Sequence, residues 1–86
     1  MKLIREDSDG QKYQADGFKL YYRNKGSISG DNENNPYEKV YLITGEAKVT
    51  IKNLDSIVQS PTYFEIPANT YHKIEAITEI SFIIFD

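Results

Sequence analysis

Apolar and polar residues alternate with a period of two along most of this chain, the period at which successive side chains of a β-strand fall on opposite faces. Residues 18–23 place Phe18, Leu20 and Tyr22 on one side and Lys19, Tyr21 and Arg23 on the other, which predicts a half-buried strand with the first set as its apolar face. Residues 38–43 divide Glu38, Val40 and Leu42 from Lys39, Tyr41 and Ile43 in the same way. Thr44, Gly45 and Glu46 turn that strand into another over 47–52, and two strands joined so tightly form an antiparallel hairpin. After a turn at Asn53–Ser56, a short strand starts at Ile57 and Val58 and stops at Ser60 and Pro61. Residues 63–66 are extended, Pro67–Thr70 is a turn, and strands follow at 71–76 and 79–85. The last of these is apolar on both sides, with Ile80, Phe82 and Ile84 against Ile83 and Phe85, so both of its faces are expected to be covered. A face that the fold leaves open would be covered by a second subunit.

The first seventeen residues are polar and charged with apolar contact points only at Leu3, Ile4 and Tyr13, and read as an N-terminal arm or edge strand leading to a turn at Asp16 and Gly17. Ser29–Pro36 is a run of short polar residues and glycine that bond locally to the backbone, and reads as a surface loop. No segment holds a helical period over the roughly 10 to 12 residues that a helix needs. Short strands with turns every 8 to 12 residues or so define an all-β domain, either a sandwich or a jelly-roll barrel, with little or no helix. Periodicity alone does not choose between the two.

Eighty-six residues make one domain, spanning 1–86, and one of the size at which burying enough surface is already hard. Such cores gain from a disulfide, a metal or a partner subunit, and the absence of cysteine leaves metal or dimerisation. That absence also fits a reducing cytosol, so a cytoplasmic location is expected. No apolar run approaches the roughly 18 residues that cross a bilayer, and the N-terminus lacks the apolar core of a signal peptide. Ten basic against thirteen acidic residues give a net charge of −3 with the lysines scattered, which argues against a nucleic-acid footprint. Seven tyrosines and four phenylalanines suit cross-strand packing, and some of the tyrosines are candidates to line a pocket.

A spaced set of residues is laid over the strands: Gly26, Asn32, Asn34, Glu38 and Gly45, then Pro61, Pro67, Asn69 and His72. This frame resembles the two motifs of the cupin family, in which a glycine precedes a His-x-His pair, a glutamate and a second glycine, and a Pro-x-Gly turn precedes a histidine. Gly26, Glu38, Gly45, Pro67 and His72 fall in register, over a stretch from about residue 18 to 86. Asn32 and Asn34 stand in place of the two histidines, Asn69 and Pro61 in place of glycines, and Ala76 where asparagine is frequent. The resemblance implies a small cupin jelly-roll barrel, a double-stranded β-helix of antiparallel strands, in which the positions of Asn32, Asn34, Glu38 and His72 would face inward as the metal set. An amide oxygen is a neutral, weak donor, so two asparagines for two imidazoles remove most of the affinity for iron, nickel or zinc. The expectation is therefore no resident cofactor, with a divalent transition metal on those four residues as the alternative.

Glycine at 45 and proline at 67 are architectural, and Asn69 suits a turn because asparagine tolerates the left-handed region. His72 is the only histidine. Position alone makes it a packing or hydrogen-bonding residue, whereas the frame has it face a pocket, where with Glu38 it would form a pair able to exchange a proton. Tyr22, Tyr41, Tyr63 and Tyr71 are the further candidates for ligand contact. With Val40, Leu42, Ile74 and Ala76 on the same inward faces, the lumen is expected to be mostly apolar, and no arginine cluster is visible. Three functions follow. The first is a small-molecule-binding barrel, homodimeric, with little or no catalysis and most of its metal site gone. The second is an enzyme using His72 and Glu38, either metal-dependent or a metal-free sugar isomerase or epimerase, and the third is a dimeric interaction scaffold.

Overall fold

The computed structural model describes residues 1–86, and they fold into ten antiparallel strands with no helix. In chain order these are β1 (Lys2–Asp7), β2 (Gly10–Gln14), β3 (Phe18–Arg23), β4 (Ile28–Asn32), β5 (Glu38–Thr44), β6 (Glu46–Ile51), β7 (Leu54–Gln59), β8 (Thr62–Ile66), β9 (His72–Ala76) and β10 (Ile80–Phe85). A six-stranded sheet runs β1-β2-β3-β10-β5-β8 and a four-stranded sheet runs β4-β9-β6-β7. The two lie face to face as a jelly roll, with Val40, Leu42, Phe82 and Ile80 of the first packed on Ala47, Val49, Ile74 and Ala76 of the second. No helix of the structure is long and apolar enough to cross a membrane.

The β5–β6 hairpin turns at Gly45, whose φ of 89° and close approach to the Glu79 carbonyl leave no room for a side chain. Asn69 has a φ of 52°, the left-handed conformation expected of it. β7 starts at Leu54, ahead of the expected position, because a two-residue turn with Lys52 at φ 59° replaces the longer turn. The N-terminal segment contributes two strands: β1 forms the sheet edge and β2 joins it to β3.

The segment expected to be a surface loop contains a strand instead. β4 pairs with β9 through Gly30↔Lys73 and then Asn32↔His72, so Asp31 is the extra residue of a β-bulge, at φ 62°. The bulge absorbs the turn-forming residues without breaking the pairing. A second difference concerns β3, where the inner face carries Tyr21 and Arg23 rather than Phe18, Leu20 and Tyr22. Tyr21 stacks on buried Phe82, with ring centroids 4.6 Å apart at 10°, while Tyr22 is largely exposed on the other side.

Candidate functional site

The register of the six-stranded sheet aligns a row of inward side chains across five strands, Leu42–Phe82–Tyr21–Lys12–Arg5. It runs from apolar at the sheet centre to cationic at the edge. Opposite this edge stand β4 and the start of β9, and between the two sheets lies a cavity of about 520 Å³. Its floor is apolar, with Ile66, Ile74, Phe82 and Ile84, and its walls are polar.

Asn32, Asn34, Glu38 and His72, distant in sequence, all line this cavity. His72 is 5% exposed. Its Nδ1 lies 3.1 Å from the Thr70 carbonyl, which can only accept, so Nδ1 carries a proton and donates. Nε2 is the nitrogen left free of Thr70, and it faces Glu38 Oε1 at 3.5 Å, wider than an ordinary hydrogen bond. The ring lies against Gly30, where a Cβ would stand 2.9 Å from both Cδ2 and Nε2. Only a residue without a side chain fits there.

One residue that the pattern did not single out fixes this arrangement. Asn35 is buried; its amide nitrogen donates to the Pro36 carbonyl (2.9 Å) and the Pro67 carbonyl (2.8 Å), and its amide oxygen accepts from the Thr70 N–H (3.0 Å). The Asn69 N–H also donates to the Asn35 carbonyl at 2.8 Å. Asn35 thus clamps the loop before β5 to the Pro67–Thr70 turn, and the same Thr70 holds His72. Sequence composition groups Asn35 with neighbouring turn residues, and nothing local distinguishes it.

The lumen is not mostly apolar as expected. Arg5, Lys12 and Arg23 gather on one wall, and Asp7 and Asp9 stand at the rim. These residues lie on three different strands and the turn between them, so only the sheet pairing makes them a cluster. Burial, followed by repulsion from Arg5 and Lys19, holds Lys12 below the usual lysine value. Burial and the Glu38 charge push the Tyr21 phenol up.

The tyrosines divide differently from the expectation. Tyr22, Tyr41, Tyr63 and Tyr71 do not line this cavity, and Tyr21 does. Tyr41 and Tyr63 pair with each other and, through Ile83, Leu20 and Tyr13, form a row on the outer face of the six-stranded sheet. Tyr13 meets Tyr22 edge to face at 6.0 Å. Tyr71 donates a short hydrogen bond to Asp31, and that bond pushes its phenol up.

As a metal set, the four motif positions fit poorly. The Asn32 amide is engaged within its own loop, accepting from the Asn34 N–H at 3.2 Å and facing the Gly30 carbonyl at 3.3 Å. No group of three or more His, Cys, Asp or Glu side chains comes together to hold a metal ion, whereas zinc and iron sites use at least about three such ligands.

No protein-family model and no curated protein matches the sequence. Solved structures do match. An RmlC-like cupin from Shewanella frigidimarina NCIMB 400 aligns with a TM-score of 0.82 and 12% identity over 96% of this chain and 79% of that one. KdgF from Halomonas sp. aligns at 0.77 and 12% identity over 99% and 86%. The capsular polysaccharide assembling protein CapF from Staphylococcus aureus aligns at 0.79 and 17% identity over 96% of this chain and 29% of CapF, so this chain spans less than a third of that protein. At such identities the likeness is one of fold. The fold is the all-β cupin jelly roll that the motif frame implied.

Proposed function

We propose that this chain is a small-molecule-binding cupin barrel whose binding site is the cavity around His72 and Glu38, with no transition metal resident in it. The observation that carries the reading is the pair of buried His72 and partly buried Glu38, 3.5 Å apart and open to a cavity of about 520 Å³. That volume lies within the roughly 300–1,000 Å³ usual for ligand sites. A pocket with an apolar floor and a few convergent polar groups binds and orients a compact, partly apolar molecule. A pure scaffold would fill its lumen with side chains.

A specific observation also favours a second, enzymatic reading. Thr70 anchors one imidazole nitrogen and so leaves the other free beside a carboxylate, which is the arrangement of a general acid–base pair. Homodimerisation belongs to the same proposal, through the outer face of the six-stranded sheet, where Leu3, Tyr13, Leu20, Ile83, Tyr41 and Tyr63 form one continuous cross-strand row. A cytosolic location is part of it too, consistent with the lack of cysteine.

The test is a series of thermal melts on chelator-stripped protein, first with manganese, iron(II), cobalt, nickel and zinc and then with a metabolite library, repeated on His72→Ala. A ligand at 100 times its dissociation constant adds about 2.7 kcal/mol to stability, or roughly 10–20 °C in a domain of this size. The expected result is no saturable rise with any metal and a rise with one chemical class of metabolite, lost in the variant. A saturable metal-induced rise lost in His72→Ala would overturn the metal-free reading.

A further inference from the structure

We propose that the cavity takes a small organic monocarboxylate, anchored by the Arg23 guanidinium, an assignment that rests on the cavity being the binding site. Arg23 lines the cavity from the end of β3 and is 5% exposed. Its Nε and Nη1 are buried with no hydrogen-bond partner. Its nearest carboxylates are Asp7 Oδ1, 4.0 Å from Nη1, and Asp9 Oδ2, 3.9 Å from Nη2, both too far for hydrogen bonds and both on well-exposed side chains. Buried donors are almost always paired in folded proteins, so a guanidinium that lines a cavity with donors left unpaired calls for an acceptor that reaches it from that cavity. A carboxylate takes two guanidinium donors at once, a match that no neutral oxygen makes as well.

The surroundings narrow the class. Arg5 has a partner in Asp7, at 3.4 Å. Lys12 has no carboxylate within ion-pair distance, and its ammonium sits 5.2 Å over the Tyr21 ring instead. Burial, and after it repulsion from Arg5, Lys19 and Arg23, holds Lys12 below the usual lysine value with Glu38 opposing, so an incoming negative charge relieves a strain already present on this wall. Asp7, Asp9 and Glu38 border the same space and oppose a second negative charge, which favours a monoanion over a phosphate dianion. The apolar floor of Ile66, Ile74, Phe82 and Ile84 gives such an ion's hydrocarbon body a place to lie. The charged end then meets Arg23 and Lys12, and the body lies toward the His72–Glu38 pair.

The experiment is an NMR titration of ¹⁵N-labelled protein with benzoate, benzamide and inorganic phosphate at constant chloride, following the Arg23 Nε–H and His72 ring signals. Benzoate is expected to shift both saturably, with benzamide and phosphate at least about tenfold weaker. Arg23→Gln should weaken benzoate by about 10- to 100-fold and benzamide by much less, and Arg23→Lys should restore only part of the difference. Because the wild-type Arg23 signal is itself a readout, the test survives a variant that fails to fold. Shifts at His72 with benzamide equal to benzoate, or with Arg23 unmoved, overturn the carboxylate assignment and leave the binding cavity standing. If neither these probes nor any compound of the metabolite library moves His72, both readings fall.

Discussion

Gly30→Ala tests whether the His72 position is built into β4. Gly30 has a φ of 87°, and a Cβ there would stand 2.9 Å from the His72 ring and 3.1 Å from its carbonyl. The left-handed backbone alone costs alanine about 1–2 kcal/mol. Gly26 and Gly17 provide that cost in isolation, since their φ values are 88° and 89° and a Cβ at either meets nothing within 4 Å. What separates Gly30 from them is the collision. Buried His72 is tied through Nδ1 to Thr70, so the ring moves aside only by lengthening that bond, which adds about 0.5–1.5 kcal/mol. Gly30→Ala should therefore lose about 2–3 kcal/mol, and about 1 kcal/mol more than Gly26→Ala or Gly17→Ala, a further fall of roughly 4–8 °C in melting temperature. Guanidinium unfolding of the three variants measures the difference, and the His72 ring signals should move in Gly30→Ala only. Equal destabilisation of all three, with the ring signals unmoved, would refute the account of how His72 is held.

Asn35→Ala removes two donated bonds and one accepted bond while leaving the Thr70 N–H and Pro67 carbonyl unpaired, and should cost about 2–3 kcal/mol in urea unfolding; a loss below half of that would show that the clamp is not needed. Phe82→Ala takes out one of the largest buried side chains together with its stacking on Tyr21, and should cost about 3–5 kcal/mol by the same assay. Asp55 gives an acid signature. The Thr50 hydroxyl, donating at 2.7 Å, holds its carboxyl below the ordinary 3.8, with Lys48 adding to the effect. The unfolded chain therefore takes up this proton first, and the stabilisation, full above that ordinary value, is lost as pH falls through the depressed one. Melting temperatures followed over acid pH should fall less steeply in Thr50→Val than in the parent protein, and parallel curves would contradict the assignment.

Strand-forming positions, turns and the motif frame are local properties, legible in the order of the residues. Alternation marks β3 and β5, an apolar run on both faces marks β10, Gly45 and Asn69 mark turns that need positive φ, and the resemblance of the Gly26, Glu38, Gly45, Pro67 and His72 frame to the cupin motifs implies the jelly roll. Period-two alternation says that two faces differ, and it leaves open which one points inward when the interior holds a polar cavity. On β3 the apolar-looking set of Phe18, Leu20 and Tyr22 faces outward, and Tyr21 and Arg23 face the lumen. β4 is hidden because a bulge at Asp31 lets a turn-like composition continue as a paired strand. The cluster of Arg5, Lys12 and Arg23, the clamp at Asn35 and the meeting of Glu38 with His72 each depend on pairings between segments far apart in sequence. The sequence by itself determined the kind of local structure and the class of fold, because propensity and periodicity act over a few residues. Only the tertiary structure decided which side chains share the cavity, because that depends on strand register and sheet order, set by the packing of the whole chain.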